Sequence, residues 1–343
     1  MSDDDAPNFM PTYRLPTDAE LELANRFTVN KNYLQSLAGF IEHEYRADGG
    51  LNRGLARGLR EHHAFQRIRG DRQADAVEVE RWLTLGWASE VQLHLPATMG
   101  VDAMIGFSNA WAPVHAYYAV YGLLQAWFAA NGMGGLTNDH TGTLKTIGVQ
   151  LRDRDLLPPP WGLLAEGCPM RGEKLHRNVP AGADCEAHVE ALATPPSGLD
   201  PLFWARYSMW LRTSRKARLV KRESDWKAEN ARKQIPAKQR TKFADSLAPT
   251  SLFDCLWRLR IRSNYGSVEP FLVPTISEAD HVIFSRSLRV VTHCTVALLE
   301  QCVARRIGRA EFGTIAANFV ERDKSGLTDT LLARRAAVIA SPD

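Results

Sequence analysis

The chain has 343 residues, of which 45% are hydrophobic and 24% are charged, and its formal net charge is +3. This length is enough to bury a sizeable core, and the composition is that of a globular protein. The small net charge excludes a chain that binds nucleic acid over its whole surface. An anionic partner must therefore be met by a local basic patch.

The cysteines and the first residues predict the compartment. Five cysteines are widely spaced without a CxxC pair, and Cys255, Cys294 and Cys302 lie within helix-like apolar patterns, which indicates buried thiols. Residues 1–16 are acidic and interrupted by prolines, which predicts a flexible leader and no secretory signal. We therefore expect a cytoplasmic protein that does not bind a membrane.

Residues 17–98 predict a helical N-terminal region. Thr17 with acidic residues behind it is typical of a helix start, and a second helical stretch ends at the Gly49–Gly50 pair. Six arginines between residues 53 and 72 favour a solvated helix face over an RNA-facing patch. Residues 75–95 predict a further helix, although the alternation in VQLHL leaves a short strand open.

The segment from Asn109 to Asn131 predicts the strongest helix, capped by Ser108 or Asn109. Its apolar side chains recur at the helical period and include Tyr117, Val120, Tyr121, Leu124 and Phe128. Trp111, Val114, Tyr118 and Trp127 extend the apolar character around the cylinder, as expected at the centre of a bundle. A shorter helix follows His140 and ends before three prolines.

Residues 158–245 predict an insertion whose second half is basic. Its first part, to residue 200, is predicted to be irregular. This part contains residue types that bind zinc, namely Cys168, His176, Cys185 and His188. Their spacing matches no common zinc finger, and we predict no metal. Thirteen Lys and Arg face three acidic residues between Arg206 and Lys242, on a long helix or a helix pair. Such a concentration is expected where phosphates are bound; the alternative is a solvated helix. The residues assigned to nucleic acid are Arg212, Arg215, Lys216, Arg218, Lys221 and Arg222.

The segment from Ser251 to Leu272 predicts a helix that ends in arginines. Arg258 and Arg262 are four residues apart and share a face, whereas Arg260 points elsewhere. Residues 277–306 predict an amphipathic helix capped by Ser277, and residues 307–343 predict short peripheral helices and a tail. With little strand signal, the predicted fold class is mainly α.

Two segments resemble the HEPN superfamily of helical bundles. They are HAYYAVYGLLQAWFAANG, which precedes the shorter DHTGTLKTIGVQL helix, and LRIRSNYG. The resemblance implies an HEPN-like bundle over residues 99–306, with the insertion at 158–245 and residues 17–98 as an N-terminal helical extension. In ribonuclease members the motif is Arg, four to six residues, then His; here Tyr265 follows Arg260 after four residues.

The resemblance implies a metal-independent endoribonuclease without a cofactor, in which a homodimer places the motif opposite its symmetry mate. Arg260 would stabilise negative charge on the phosphate. Tyr265, a poor general base, would donate to the leaving oxygen or hold a phosphate by a hydrogen bond. Asn264, Arg262 and His115 complete the candidate catalytic set, and His140 is a further candidate proton carrier.

RNA is the expected partner, and a protein encoded elsewhere is a second candidate partner. The role implied by analogy is that of a toxin or antiviral defence effector. Two alternatives stay open. One is a non-catalytic HEPN-like module that binds nucleic acid or protein, and the other is a helical scaffold.

Overall fold

The computed structural model describes residues 16–341, apart from 48, 71–74, 101, 135–138, 169–171, 177–198, 232–233, 265–268 and 324–325. The structure is mainly α, as the sequence predicted. Its elements are α1 (Asp18–Glu44), α2 (Leu51–Glu61), α3 (His63–Gln66), α4 (Ala76–Thr98), α5 (Asp102–Ser108), α6 (Ala112–Ala130), α7 (His140–Arg154), β1 (Leu164–Cys168), β2 (Gly172–His176), α8 (Pro201–Glu229), α9 (Ala237–Asp245), α10 (Leu252–Asn264), α11 (Glu269–Leu272), α12 (Glu278–Ile307), α13 (Arg309–Arg322), a π-helical turn (Asp329–Ala333) and α14 (Arg334–Ala340).

Two helices begin at the predicted caps. The Thr17 hydroxyl accepts from the Glu20 backbone N–H, while the Glu20 carboxylate accepts from the Thr17 N–H, which makes a capping box at the start of α1. The Ser277 hydroxyl accepts from the Asp280 N–H at 3.1 Å and starts α12. In both cases a short polar side chain satisfies a backbone donor that the helix itself leaves without a partner.

Three local predictions differ from the structure. The two helical stretches predicted between residues 17 and 47 form one helix, α1. The VQLHL segment lies in α4, so it is not a strand. Helix α6 begins after Trp111 without a side-chain cap, because Asn109 is buried and donates to the His281 carbonyl at 3.0 Å.

Helix α6 lies at the centre of the core, and its sides are buried almost all round. Its closest neighbour is α4, which it meets at two glycines: a Cβ on Gly122 would lie 2.7 Å from the Gly86 Cα. Helices α10 and α12 also pack against α6. One hydrophobic cluster includes residues of α1, α4, α6, α10 and α12, so the core extends to both sides of residue 98.

The insertion contains a small antiparallel hairpin and two helices. β1 pairs with β2, and Ala165 of β1 also bridges to Thr250, so the part predicted as irregular includes two strands. The basic segment forms a helix pair, α8 and α9. The aromatic start of α8 packs into the main core, where Phe203 stacks on Phe40 with ring centres 3.9 Å apart.

The C-terminal segment reaches the interior through one arginine. Arg335 is buried on α14 and binds Glu90 of α4 and Glu300 of α12. Helix α12 is the helix predicted over residues 277–306, and its apolar side chains Leu288, Leu298 and Cys302 are buried. By length and composition alone α12 could cross a membrane, but 67% of its apolar window is buried inside the protein.

Candidate active site

Three arginines leave helix α10 in two directions near its C-terminal end. Ser251 directly precedes the helix, and its backbone N–H donates to the Asp254 carboxylate at 2.8 Å. Arg258 and Arg262 lie one turn apart, and Arg260 lies between them in the sequence, so it points to another side of the helix. The structure therefore separates the arginines into two environments.

Arg260 lies in a cluster of aromatic side chains. Only 5% of the residue is exposed, and its Nη2 donates to the Tyr118 hydroxyl at 2.8 Å. The guanidinium carbon lies 5.3 Å from the ring centre of Tyr118 and 5.9 Å from that of Tyr117, within the range of cation–π attraction. The buried positive charge is thus stabilised by tyrosine rings and a phenol oxygen.

His140 joins this cluster from the start of helix α7. Asp139 caps α7 by accepting from the Gly142 N–H at 2.7 Å, which fixes the backbone at His140. The imidazole Nδ1 lies 3.0 Å from the Tyr117 hydroxyl, and its ring meets that of Tyr121 edge-on, with centres 4.7 Å apart. The histidine and Arg260 are therefore held around the same tyrosines.

The environment keeps His140 neutral near pH 7. Burial lowers the pKa of His140 and the positive charge of Arg260 lowers it further, because both disfavour the imidazolium form. Burial raises the pKa of the Tyr117 hydroxyl, so this phenol keeps its proton. The cluster thus offers a neutral imidazole, able to accept a proton, beside a permanent positive charge.

The open edge of the cluster consists of half-buried polar side chains. Tyr118 and His140 are both half-buried, and Tyr118 accepts the hydrogen bond from Arg260, which leaves its own hydrogen available to donate. His115 lies on α6 three residues before Tyr118, so the two share a side of the helix, and burial lowers its pKa. Asn264 is half-buried one turn after Arg260.

Arg262 belongs to the other environment of α10. It lies near Arg258, Arg26 and Tyr33, and burial lowers its pKa to about 10. Arg258 donates to the Ser214 hydroxyl at 3.4 Å. The predicted catalytic set is therefore divided: the structure brings Arg260 to Tyr118 and His140, whereas Arg262 faces α1. Tyr265 lies outside the described residues.

Tyr117 and Tyr118 are residues of the cluster that the sequence did not assign to a functional site. Tyr117 and Tyr118 were counted only as part of the apolar surface of the central helix. Tyrosine carries a polar hydroxyl that needs a partner when it is buried, and an adjacent tyrosine pair on a helix offers two such groups on neighbouring sides. That feature could have indicated a polar contact with the arginine motif.

The basic helix α8 presents some of its predicted RNA contacts to solvent. Lys216, Lys221 and Arg222 are exposed; Lys221 pairs with Asp225 one turn away. Arg218 donates to the buried Asp254 carboxylate at 2.7 Å, and Arg212 is half-buried.

Arg215 was assigned to the RNA surface, and that assignment is wrong. Only 1% of the residue is exposed. Its Nε donates to the Gly167 carbonyl at 2.6 Å and its Nη1 to the Ala248 carbonyl at 2.9 Å. A guanidinium enclosed by backbone carbonyls cannot reach a phosphate, so Arg215 ties α8 to the hairpin and to the segment before α10.

Among the residues that the structure describes, two groups of side chains have the donor atoms for a metal ion. His62 and His63 place their Nε2 atoms 3.7 and 3.6 Å from one Asp155 carboxylate oxygen. Glu90, His94 and His293 form the second group, but Arg335 binds both carboxylate oxygens of Glu90, and its charge opposes a cation there. The side chains of the predicted zinc-ligand types, Cys168, His176, Cys185 and His188, lie outside the described residues.

The comparisons with known proteins add no relative. No family model matches the chain, and neither a curated protein nor a solved structure is similar to it. The resemblance to the HEPN superfamily therefore stays a prediction from two short segments.

Proposed function

We propose that the chain is an HEPN-like, metal-independent endoribonuclease that acts as an RNA-processing effector, with its chemistry at the Arg260 cluster. The observation that carries the proposal is the proximity of Arg260 and His140 around Tyr117 and Tyr118. Attack by a ribose 2′-hydroxyl on the neighbouring phosphate needs a proton acceptor and stabilisation of negative charge. The cluster contains one group for each task.

His140 would take the proton of the 2′-hydroxyl. In the tautomer whose Nδ1–H donates to the Tyr117 oxygen, the Nε2 lone pair is left to accept it. The 2′-oxygen then forms a bond to phosphorus, the bond to the 5′-oxygen breaks, and a 2′,3′-cyclic phosphate results. The leaving 5′-oxygen needs a proton, and Tyr118 has a hydroxyl hydrogen to donate; His115 and Tyr265 are the alternatives from the predicted set.

Arg260 would act mainly through Tyr118. Its positive charge next to the phenol oxygen strengthens Tyr118 as a hydrogen-bond donor, because a charge-assisted bond polarises the group that accepts it. A phosphate held at the half-buried edge would then receive the Tyr118 hydrogen bond with the guanidinium behind it. The exposed Lys216, Lys221 and Arg222 would bind phosphates along the RNA.

The test is cleavage of total cellular RNA by the purified protein in EDTA. We expect Arg260→Ala and His140→Ala to lower the rate by about 100-fold or more, as loss of a charge-stabilising or proton-transferring group does. Tyr118→Phe removes one hydroxyl and keeps the ring, so it tests the same edge with little risk to folding. Arg262→Ala is the matched control on the same helix and should cleave like the wild type.

Wild-type protein that leaves RNA intact with and without a divalent ion would remove the catalytic proposal. Equal losses in Arg260→Ala and Arg262→Ala would remove the assignment of the site. A homodimer, an antiviral role and a cytoplasmic location belong to the same proposal and need separate measurements.

A non-catalytic nucleic-acid-binding module is the second candidate. The exposed lysines and arginine of α8 favour it, since they lie in a segment with thirteen basic and three acidic residues. Under this candidate the wild type binds RNA with a salt-dependent affinity but releases no fragments. Charge reversal at Lys216 and Arg222 should then weaken binding, whereas His140→Ala should not.

A further inference from the structure

A second polar site lies away from the Arg260 cluster, in a cleft between helices α2 and α14. The cleft has a volume of about 1100 Å³, and its charged lining consists of Arg53, Arg57, Arg60 and Arg334 with one carboxylate, Glu61. We name it the arginine cleft. None of its lining residues belongs to the cluster around Arg260, so it has no part in the cleavage chemistry argued above.

The four arginines converge from two walls. Arg53, Arg57 and Arg60 recur at spacings of four and three residues, so they share one face of α2, and Arg334 comes from α14 on the other side. No ion pair joins any of the four to a carboxylate within the part of the chain that the structure describes. Four like charges that line one cleft create a positive potential, which favours the binding of an anion there.

A network of hydrogen bonds holds both walls in place. At the floor of the cleft, His293 Nε2 lies 2.9 Å from the Asn52 Oδ1 of α2. On the other side of the ring, His293 Nδ1 lies 2.8 Å from Arg335 Nη1. Arg335 is next to Arg334 in the sequence and is itself fixed by Glu90 and Glu300. The cleft therefore has a rigid base, which favours binding because little order has to be created.

The entrance of the cleft fits an anion as well. Gly49 has φ +94, and a Cβ there would lie 2.7 Å from the Arg53 Cδ, so only glycine lets Arg53 lie against this loop. Gly50 starts α2 without a side-chain cap, and no acidic residue occupies the first turn. The positive end of the helix thus adds to the arginine charges.

We propose that the arginine cleft binds a small organic polyphosphate, with a di- or triphosphate group between Arg53, Arg57 and Arg334. A ligand with a single carboxylate would leave most of the positive charge of the cleft unpaired. A di- or triphosphate carries several negative charges and offers the paired oxygens that guanidinium groups bind best. The volume suits a small molecule, and Leu51, Ala337 and Val338 provide an apolar wall for its organic part.

The test is calorimetric titration of the full-length protein with inorganic tripolyphosphate and with a nucleoside triphosphate at fixed ionic strength. We expect both to bind, the nucleoside triphosphate more tightly because it also uses the apolar wall. Arg53→Gln and Arg334→Gln should each weaken binding by about tenfold or more, the effect of losing one charge-assisted hydrogen bond. These side chains are exposed, so their loss leaves the fold intact.

Two comparisons decide the outcome. Arg322→Gln removes an exposed charge from α13 and is the matched control, which should bind like the wild type. Gly49→Ala displaces Arg53 without changing any charge, and it should weaken binding as Arg53→Gln does. The proposal is overturned if tripolyphosphate does not bind or if the control loses as much affinity as Arg53→Gln. It is also overturned if Arg53→Gln weakens binding of a short single-stranded RNA more than binding of either probe.

Discussion

Arg215 shows how much the position of one side chain changes its role. Its neighbour Lys216 is exposed on the same helix, whereas Arg215 points inward and donates to the Gly167 and Ala248 carbonyls. Both residues belong to the same basic run in the sequence. Composition over such a run predicts a basic surface, but it does not distinguish the residues that supply the charge from one that is buried.

We therefore predict opposite effects for the two residues. Arg215→Met should lower the free energy of unfolding by about 3 kcal/mol or more, because the Gly167 and Ala248 carbonyls lose the guanidinium donor. It should leave RNA affinity per folded molecule unchanged. Lys216→Met should leave stability within about 0.5 kcal/mol and weaken RNA binding. Urea unfolding and a binding titration, made on the same preparations, measure both.

An unchanged unfolding midpoint in Arg215→Met would contradict the buried position. A loss of RNA affinity in the folded fraction of that variant would restore the original assignment of Arg215 to the RNA surface.

At the scale of elements, the contact between α4 and α6 depends on two glycines. A Cβ on Gly122 would lie 2.7 Å from the Gly86 Cα and backbone N, and 2.9 Å from the Trp82 carbonyl oxygen. These are backbone atoms, so no side chain can turn away to make room. The two helices approach as closely as they do only because neither glycine has a side chain.

Gly122→Ala should therefore force α4 and α6 apart and lower the free energy of unfolding by about 2 to 3 kcal/mol, as overpacking of a tight core does. Gly39→Ala is the matched control, since a Cβ there meets nothing within 4 Å. The free energy of unfolding of Gly39→Ala should rise by up to about 1 kcal/mol, because alanine has the better helix propensity. Thermal unfolding of the two variants beside the wild type gives the comparison; a stabilised Gly122→Ala would show that the helices are not in this contact.

The sequence predicts elements better than the contacts between them. The periodicity of α6 and the stripe of α12 indicate helices that are buried, because burial leaves a repeating apolar pattern. Ser277 marks a helix start because its partner is three residues away. By contrast, the contact of Arg260 with Tyr118 joins residues 142 positions apart, and no local pattern encodes such a pairing. The Arg motif and His140 could be found from the sequence as candidates, but their meeting around Tyr117 and Tyr118 could not.

At the scale of the whole molecule, one buried arginine joins three distant parts of the chain. Arg335 Nη2 lies 2.6 Å from a Glu90 carboxylate oxygen and its Nε lies 2.7 Å from one of Glu300. Trp87 donates from its indole to the other Glu300 oxygen at 2.7 Å. The residues after 306 were predicted as peripheral, yet this one side chain neutralises carboxylates in the interior.

Arg335→Met should lower the free energy of unfolding by about 3 to 5 kcal/mol at pH 7, because it leaves two buried carboxylates without a positive partner. The exposed neighbour Arg334 gives the control. Arg334→Met removes the same charge from the same helix and should change the free energy of unfolding little. Urea unfolding of both variants is the measurement, and equal midpoints would contradict the buried network.

The pH dependence of that loss tests the electrostatic cause. In the wild type the Arg335 charge lowers the pKa of Glu90. Glu90 therefore stabilises the fold at pH values above its unfolded pKa, and this stabilisation is lost as the pH falls. Without Arg335, burial raises the pKa of both carboxylates above their unfolded values, so folding of the variant is favoured at acidic pH and loses stability as the pH rises. The difference between Arg335→Met and the wild type should therefore shrink from pH 7 to pH 5. A difference that is constant over this range would mean that lost packing, and not two unpaired carboxylates, destabilises the variant.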